Sequence, residues 1–446
     1  MPHLKQAAAN RPGHARALAA LAAGYFLVMV DQGVTPVITP HLPLGVGEAV
    51  WLTSVYLICT VVPMPVAGRL GDRYGQRLVF LCGLAAYTAA LGLAAVSWSL
   101  PSLVAARALQ GLGSAAFLPQ AFGMINRIIP NDRRGRAFAA WGVVGSVGSL
   151  LGPILGGVLV GGGWRAAFAA QALAGLLAVV AASRWLPALP TAPARIDALS
   201  TALSLAGLGA VVYGVQFLNL PAVIVGVALL AVFLVMQARG GKDALVPVRL
   251  FSDGNFSAGT LGIAAMGFTA AALFIPVMYW LQGDAGVASS RAGLIVAPMS
   301  LVALVLTPWA GELADRVSPR ALSAAGFGVM AAGLLLGWWV IEFDRPALWF
   351  ALVTAVLGAG SAFVWAPNAT TTMRFVPEDA AGAASGLYNT VRQVGSVVGV
   401  ALVGAVLAGG PVSETAAPAL LAVLAATLLG LASTAFLRRD VAEEKR

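Results

Sequence analysis

Apolar positions in this chain do not alternate along short segments; they run on for about 20 residues at a time, the length a helix needs to cross a hydrocarbon core roughly 30 Å thick. Fourteen such runs can be drawn, approximately 17–39, 49–67, 78–98, 101–125, 137–160, 166–185, 197–218, 220–237, 256–281, 291–310, 321–341, 347–373, 381–409 and 416–437. A spanning barrel strand would be about 10 residues of alternating pattern, and nothing here alternates. Backbone groups in lipid must bond within their own segment, so the runs are helices. The predicted fold class is an all-α polytopic membrane protein with 14 transmembrane helices.

Composition sharpens this. Of the 446 residues, 59% are apolar and 10% charged, against about 45–50% and about 25% in soluble domains. Eighteen acids and 27 bases cannot coat a soluble protein of this size. That excludes a water-soluble enzyme, a disordered chain and a nucleic-acid binder. Cys59 and Cys82 lie inside apolar runs, and His3, His14 and His41 lie outside them or at their edges. No disulfide framework or metal site is expected, no cofactor either, and no catalytic constellation.

The net charge of +9 reads as topology. With the N-terminus in the cytoplasm, 22 of the 27 Lys and Arg residues fall in cytoplasmic segments, including Arg69, Arg127, Arg133, Arg134, Arg136, Arg239, Lys242, Arg316 and Arg438; only Arg165, Arg291 and Arg345 fall in outer loops. Both termini are then expected inside. No cleavable leader is expected, because the first run is too long and contains an acid.

The chain also repeats itself. Gly68-Arg-Leu-Gly-Asp72-Arg73 ends the second run and Gly311-Glu-Leu-Ala-Asp315-Arg316 the tenth; Gly111-Leu-Gly113-Ser114-Ala115 returns as Gly358-Ala-Gly360-Ser361-Ala362, and Gly148-Ser-Leu-Leu-Gly152 as Gly395-Ser-Val-Val-Gly399. The offset is about 245 residues each time and the order is kept. Echoed runs point the same way, so the repeat is parallel, as in transporters whose site lies near mid-membrane between two halves. The expected organisation is a tail 1–16, a six-helix bundle 17–185, a linker with two inserted helices 186–255, a second bundle 256–437 and a tail 438–446.

These motifs resemble a known family. Gly68-Arg69-Leu70-Gly71-Asp72-Arg73-Tyr74-Gly75-Gln76-Arg77 is similar to the loop signature of the major facilitator superfamily, Arg107-Ala-Leu-Gln110-Gly111-Leu-Gly113 to its span-four motif, and Gly148-Ser-Leu-Leu-Gly152-Pro153-Ile-Leu-Gly156-Gly157 to its antiporter motif. With fourteen runs the resemblance is to the drug:proton antiporter-2 branch, the multidrug exporters. It implies the major facilitator fold, with two six-helix bundles plus two inserted helices. It also implies proton-coupled export of lipophilic small molecules by alternating access, a cytoplasmic gate at Gly68, Gly71, Asp72, Arg73, Gly75 and Arg77, and restriction of leak by Gly148, Gly152, Pro153, Gly156 and Gly157. One departure stands in the span-one motif, where Pro36 replaces the branch's asparagine; it removes a polar group and is expected to bend that end of the helix.

The residues can also be read directly. Asp31 is the only one of the eighteen acids well inside a run. A carboxylate there is costly to keep ionised, so it can carry a proton. At 1.5 Å per residue Asp31 lies about 21 Å from the inner face and Arg107 about 9 Å from the outer one; in a core about 30 Å thick the two meet. They serve either as a proton-coupling pair or as a structural ion pair that orients two helices. Tyr25, Gln110, Gln120, Trp365, Asn368 and Asn389 are candidates for a cavity lining. Arg392 either joins them or snorkels to the cytoplasmic boundary. No ATP-binding loop can be formed around Lys5, Lys242 or Lys445, which disfavours direct use of ATP. The expected partners are a lipophilic substrate, protons and membrane lipid. The chain is expected to act as a monomer in a bacterial inner membrane, the latter from its richness in alanine, glycine and arginine. An importer, a uniporter or a lipid translocase on the same scaffold is the alternative, with a membrane-embedded enzyme or sensor further off.

Overall fold

A computed structural model describes residues 11–191, 198–239, 248–314, 317–376 and 381–438. Asp315, Arg316, Lys242, the first ten residues and the tail beyond Arg438 lie outside the described residues, as do the side chains of Arg133, Arg134 and Arg136. Among the described residues there are helices and short connections and no strand. The helices are α1 Arg11–Ile38, α2 Val46–Val61, α3 Met64–Tyr74, α4 Gln76–Ala95, α5 Leu100–Ile128, α6 Asn131–Leu159, α7 Trp164–Trp185, α8 Ala198–Gln216, α9 Leu220–Arg239, α10 Gly254–Ala272, α11 Phe274–Gln282, α12 Ser289–Val296, α13 Pro298–Ala314, α14 Pro319–Glu342, α15 Trp349–Ala362, α16 Trp365–Met373, α17 Ala381–Leu407 and α18 Val412–Thr434.

Twelve helical stretches are long and apolar enough to cross a membrane, or thirteen if α2 and α3, bent by 48° against each other, count as one span. Fourteen were expected. The remaining run coincides with α5, which has 29 residues and ample length; Arg107, Gln110, Ser114 and Gln120 dilute its apolarity, and all four are buried in protein.

Prolines set the breaks within spans. A proline lacks the N–H for the helical ladder and its ring crowds the carbonyl four residues back. Pro276 and Pro367 stand just after the breaks between α10 and α11 and between α15 and α16, Pro63 stands in the break between α2 and α3, and α13 opens on Pro298. Pro36 does not end its helix, which runs on to Ile38.

The halves repeat in packing as well as in sequence. In α5, Gly113 lies against Gly83 and Tyr87 of α4 while Gly111 lies against Tyr56 and Cys59 of α2. In α15, Gly360 lies against Gly326 and Met330 of α14 while Gly358 lies against Met299 of α13. Gly148 and Gly152 of α6 meet Met29 and Gly33 of α1; Gly395 and Gly399 of α17 meet Ala264 and Phe268 of α10. At each of these positions a Cβ would collide with its neighbour, which is why small residues permit the close crossing.

α8 and α9 pair with each other, and α8 lies across the seam between α2 and α17. Gln216 of α8 accepts from Ser54 Oγ at 2.7 Å and donates to the Gly47 carbonyl at 2.9 Å. Its Nε2 also faces Gly404 of α17. Trp51 packs edge-on against Tyr213 of α8 and Phe217 just beyond its end.

Candidate functional site

Three features occupy the molecule at different depths: a buried ion pair in the first half, an aromatic cluster around Arg392 between the halves, and polar contacts at the two ends. One end carries the loop motif around Asp72; the opposite end carries His41 and is called the far end here.

Asp31 of α1 and Arg107 of α5 form the buried pair, with side chains 0% and 2% exposed. Arg107 Nη1 donates to Asp31 Oδ2 at 3.1 Å and Oδ1 at 3.3 Å, and to Gln110 Oε1 at 2.7 Å. Its Nε donates to the Leu52 carbonyl at 3.4 Å, and the guanidinium lies 4.6 Å from the centre of the Tyr56 ring. Thr35, one turn beyond Asp31, donates to its Oδ1 at 3.5 Å. Burying two charges is costly unless they are paired and hydrogen-bonded, and this cluster does both. Gln110 therefore belongs to the ion-pair cluster.

A polar seam between α2–α3 and α5 leads from this pair towards the loop motif. Thr60 and Ser114 hydroxyls are 2.7 Å apart. Gln120 Nε2 donates to the Ala67 carbonyl at 2.7 Å, and Gly71 packs directly on the Gln120 amide. Asp72 then accepts from Arg127 Nη2 at 3.5 Å, both side chains being half exposed, and Arg127 Nη1 donates to the Pro190 carbonyl at 3.0 Å. Arg77 Nη2 donates to the Ser183 carbonyl at the end of α7 at 2.7 Å, and Arg73 lies 5.3 Å from the ring of Tyr74. Gly75 has φ +99° between α3 and α4, a conformation glycine adopts without strain; a Cβ on Gly68 would meet nothing within 4 Å. The loop motif thus ties together helices of its own half.

At the far end the two halves touch. Gly157 of α6 lies against the Ser289–Ser290 backbone, and Gly293 of α12 against the Pro153 carbonyl. Gly156 packs on Val34 and Val37 of α1, so the antiporter-like motif splits: Gly148, Gly152 and Gly156 face α1, and Gly157 and the Pro153 carbonyl face the other half. Gln282 Nε2 donates to the Val37 carbonyl at 3.1 Å, which aims its Oε1 at His41 Nε2, 2.8 Å away; Ser289 Oγ is 2.7 Å from the same nitrogen. Val50 of α2 packs on Gly404 and Gly47 on Ala408. Among the sequence candidates nothing pointed to His41, Gln282 or Ser289, since a polar residue at a run boundary is unremarkable by position alone.

Between the halves, Arg392 of α17 lies 5.8 Å from the centre of the Trp365 ring of α16. Its charge also acts on Tyr388, one turn earlier, and on Tyr25 of α1 in the opposite half. The guanidinium thus has aromatic neighbours from both halves. Tyr25 stacks on Trp141 of α6, ring centres 4.4 Å apart and 14° from parallel, with Phe122 of α5 beyond at 5.2 Å from Trp141. Trp141 and Phe122 were not among the sequence candidates. Asn368 stands inside the second half, 0% exposed, where its Oδ1 accepts from the Tyr388 hydroxyl at 2.7 Å. Gln120 is likewise interior to the first half. Exposed Asn389 donates to the Ser385 carbonyl of its own helix at 3.0 Å. Of the proposed cavity lining, Tyr25, Trp365 and Arg392 come together.

A family model described as Major Facilitator Superfamily matches residues 21–400 and 258–446. An uncharacterized MFS-type transporter of Mycobacterium tuberculosis is 37% identical over 86% of this chain and 68% of its own length. The tetracenomycin C resistance and export protein of Streptomyces glaucescens is 29% identical over 88% and 75%, and a cephamycin export protein of Amycolatopsis lactamdurans 32% identical over 86% and 83%. Among solved structures, an auto-inhibited POT family peptide transporter superposes with a TM-score of 0.72 at 17% identity, covering 96% of this chain and 98% of its own. A D-xylose–proton symporter superposes with a TM-score of 0.66 at 15% identity, over 94% and 95%. At such identities the structural likeness speaks for the fold.

Proposed function

Because this chain belongs to the major facilitator superfamily, we propose that it is a proton-coupled exporter of lipophilic small molecules that works by alternating access. Relatives named for export of, or resistance to, tetracenomycin C, cephamycin and methylenomycin A support the direction and the small-molecule class. The observation that carries the coupling is the Asp31–Arg107 pair.

A carboxylate within a membrane span is a functional candidate by default, because ionisable groups in a membrane are expensive to keep. Here Asp31 is the proton carrier. Arg107 is its partner while the pair is intact, and Gln110 Oε1, the Leu52 carbonyl and the Tyr56 face remain to receive the guanidinium when the pair is released. Release of the pair therefore does not strand the arginine. The Thr60–Ser114 and Gln120–Ala67 contacts give the seam below the pair polar character along a route to the loop motif.

The basic residues assign the loop-motif end to the cytoplasm by the positive-inside rule, which places both termini there and the far end outside. On that orientation the far end is the outer one, and the Gly157–Ser289 and His41–Gln282 contacts are what closes it. Closing the inner end brings the halves together around the loop motif, where Asp72 exchanges its half-exposed contact with Arg127 for one across the seam.

The test uses proteoliposomes with an imposed pH gradient and internal pH as the readout. Addition of a substrate of an exporter drives protons through the chain, in proportion to substrate moved. Flux of compounds down their own gradients with no proton movement would replace this reading with a uniporter or a translocase.

A further inference from the structure

Among the described residues three charged side chains lie deep within the spans: Asp31, Arg107 and Arg392. The first two neutralise each other. Arg392 has no such partner; the ion pairs among the described residues are Asp31–Arg107, Asp72–Arg127 and Asp253–Arg438. The residue is half-buried and keeps partial solvent contact. Its surroundings are aromatic: Trp365 at 5.8 Å, with Tyr388 on its own helix and Tyr25 across the interface, the latter stacked on Trp141.

An unpaired cation at this depth is expensive, and an arriving anion lowers the cost. A guanidinium presents a planar fork that takes a carboxylate through two parallel, charge-assisted hydrogen bonds. Flanking rings offer flat apolar faces to the body of the same molecule. A lipophilic cation finds the opposite: a site with net charge +1 while Asp31 is ionised and +2 once it is protonated, and no free carboxylate there among the described residues. Resting on the transport reading given above, we propose that Arg392 is the anchor for the acidic group of the substrate. The transported class is then aromatic acids, compounds with a carboxylate or phenolate on a planar ring system, and not lipophilic cations. Asp31 is engaged by Arg107 and the substrate by Arg392, so proton and substrate do not compete for one charge. Their opposite movement is set by the change of conformation around the ion pair.

The experiment uses the full chain in lipid nanodiscs and three probes on one scaffold, followed by fluorescence anisotropy: anthracene-9-carboxylate, anthracene-9-carboxamide and 9-(aminomethyl)anthracene. The carboxylate is expected to bind at least tenfold more tightly than the ammonium. Arg392→Gln is expected to weaken the carboxylate about tenfold while leaving the neutral amide within about twofold, and Arg392→Lys to recover part of the loss. Ammonium binding as tight as carboxylate binding would overturn the proposal. So would equal weakening of carboxylate and amide in Arg392→Gln, which marks a structural role. Efflux from vesicles separates the two readings. If the carboxylate binds through Arg392 and a pH gradient does not move it, acid recognition stands and proton-driven export falls. If neutral or cationic probes are exported and Arg392→Gln changes nothing, export stands and acid recognition falls.

Discussion

Arg107 and Asp31 are unequal partners. The arginine has Gln110, the Leu52 carbonyl and the Tyr56 ring besides the aspartate, whereas the aspartate has the arginine and a 3.5 Å contact from Thr35. Removing one member of a buried pair costs about 3–5 kcal/mol because the other charge is left uncompensated. Arg107→Gln is therefore expected to approach that cost, Asp31→Asn to cost less, and the double variant to be more stable than Arg107→Gln alone. Thermal unfolding of the four proteins in one detergent measures this; additive losses would show that the two side chains are not coupled. The pairing was legible in advance because helix rise alone sets depth, and two charges in opposed helices converge at one level. The direction in which a side chain points around its helix was not. Gln120 and Asn368 look like lining residues by chemistry, and both face inwards, onto Gly71 and Tyr388 respectively. Helices apolar on all sides carry no marked face from which such directions can be read.

Helix contacts are set by glycine and interrupted by proline. Gly152 meets the backbone of Gly33 and the Val30 carbonyl, so no side-chain motion can make room for a larger residue. Gly152→Val is expected to cost about 1–3 kcal/mol, as overpacking of a close contact does, seen as a lower melting temperature. Within the loop motif the glycines differ. Gly68→Ala is expected to leave stability unchanged, since a Cβ there has open space, while Gly71→Ala displaces the Gln120 amide and lowers it. Equal melting temperatures for the two variants would contradict this placement. The close packing of the Gly148–Gly157 motif was visible from its spacing. Its division between α1 and the opposite half was not, because identical residues on successive turns face different neighbours. The breaks at Pro276, Pro298 and Pro367 fall where the chain chemistry puts them, although the apolar runs cross them without interruption.

Across the whole molecule, the parallel repeat was legible because both halves spend the same glycines on the same contacts. The closure at the far end was not, since apolar runs do not mark at which end the halves touch. The closed far end predicts short, narrow distances between spin labels at Pro43 and Asp284, both exposed at that end. Gly157→Val, whose side chain would strike the Ser289–Ser290 backbone, is expected to lengthen them; an unchanged distribution would place the closure elsewhere. The central claim is that Asp31 carries the proton that drives export, and Asp31→Asn in proteoliposomes tests it most directly. Exchange of labelled for unlabelled substrate at equal pH on both sides should persist in the variant, while accumulation driven by a pH gradient should vanish. Gradient-driven accumulation at the rate of the unaltered chain would contradict the claim and leave Asp31 as a structural partner of Arg107.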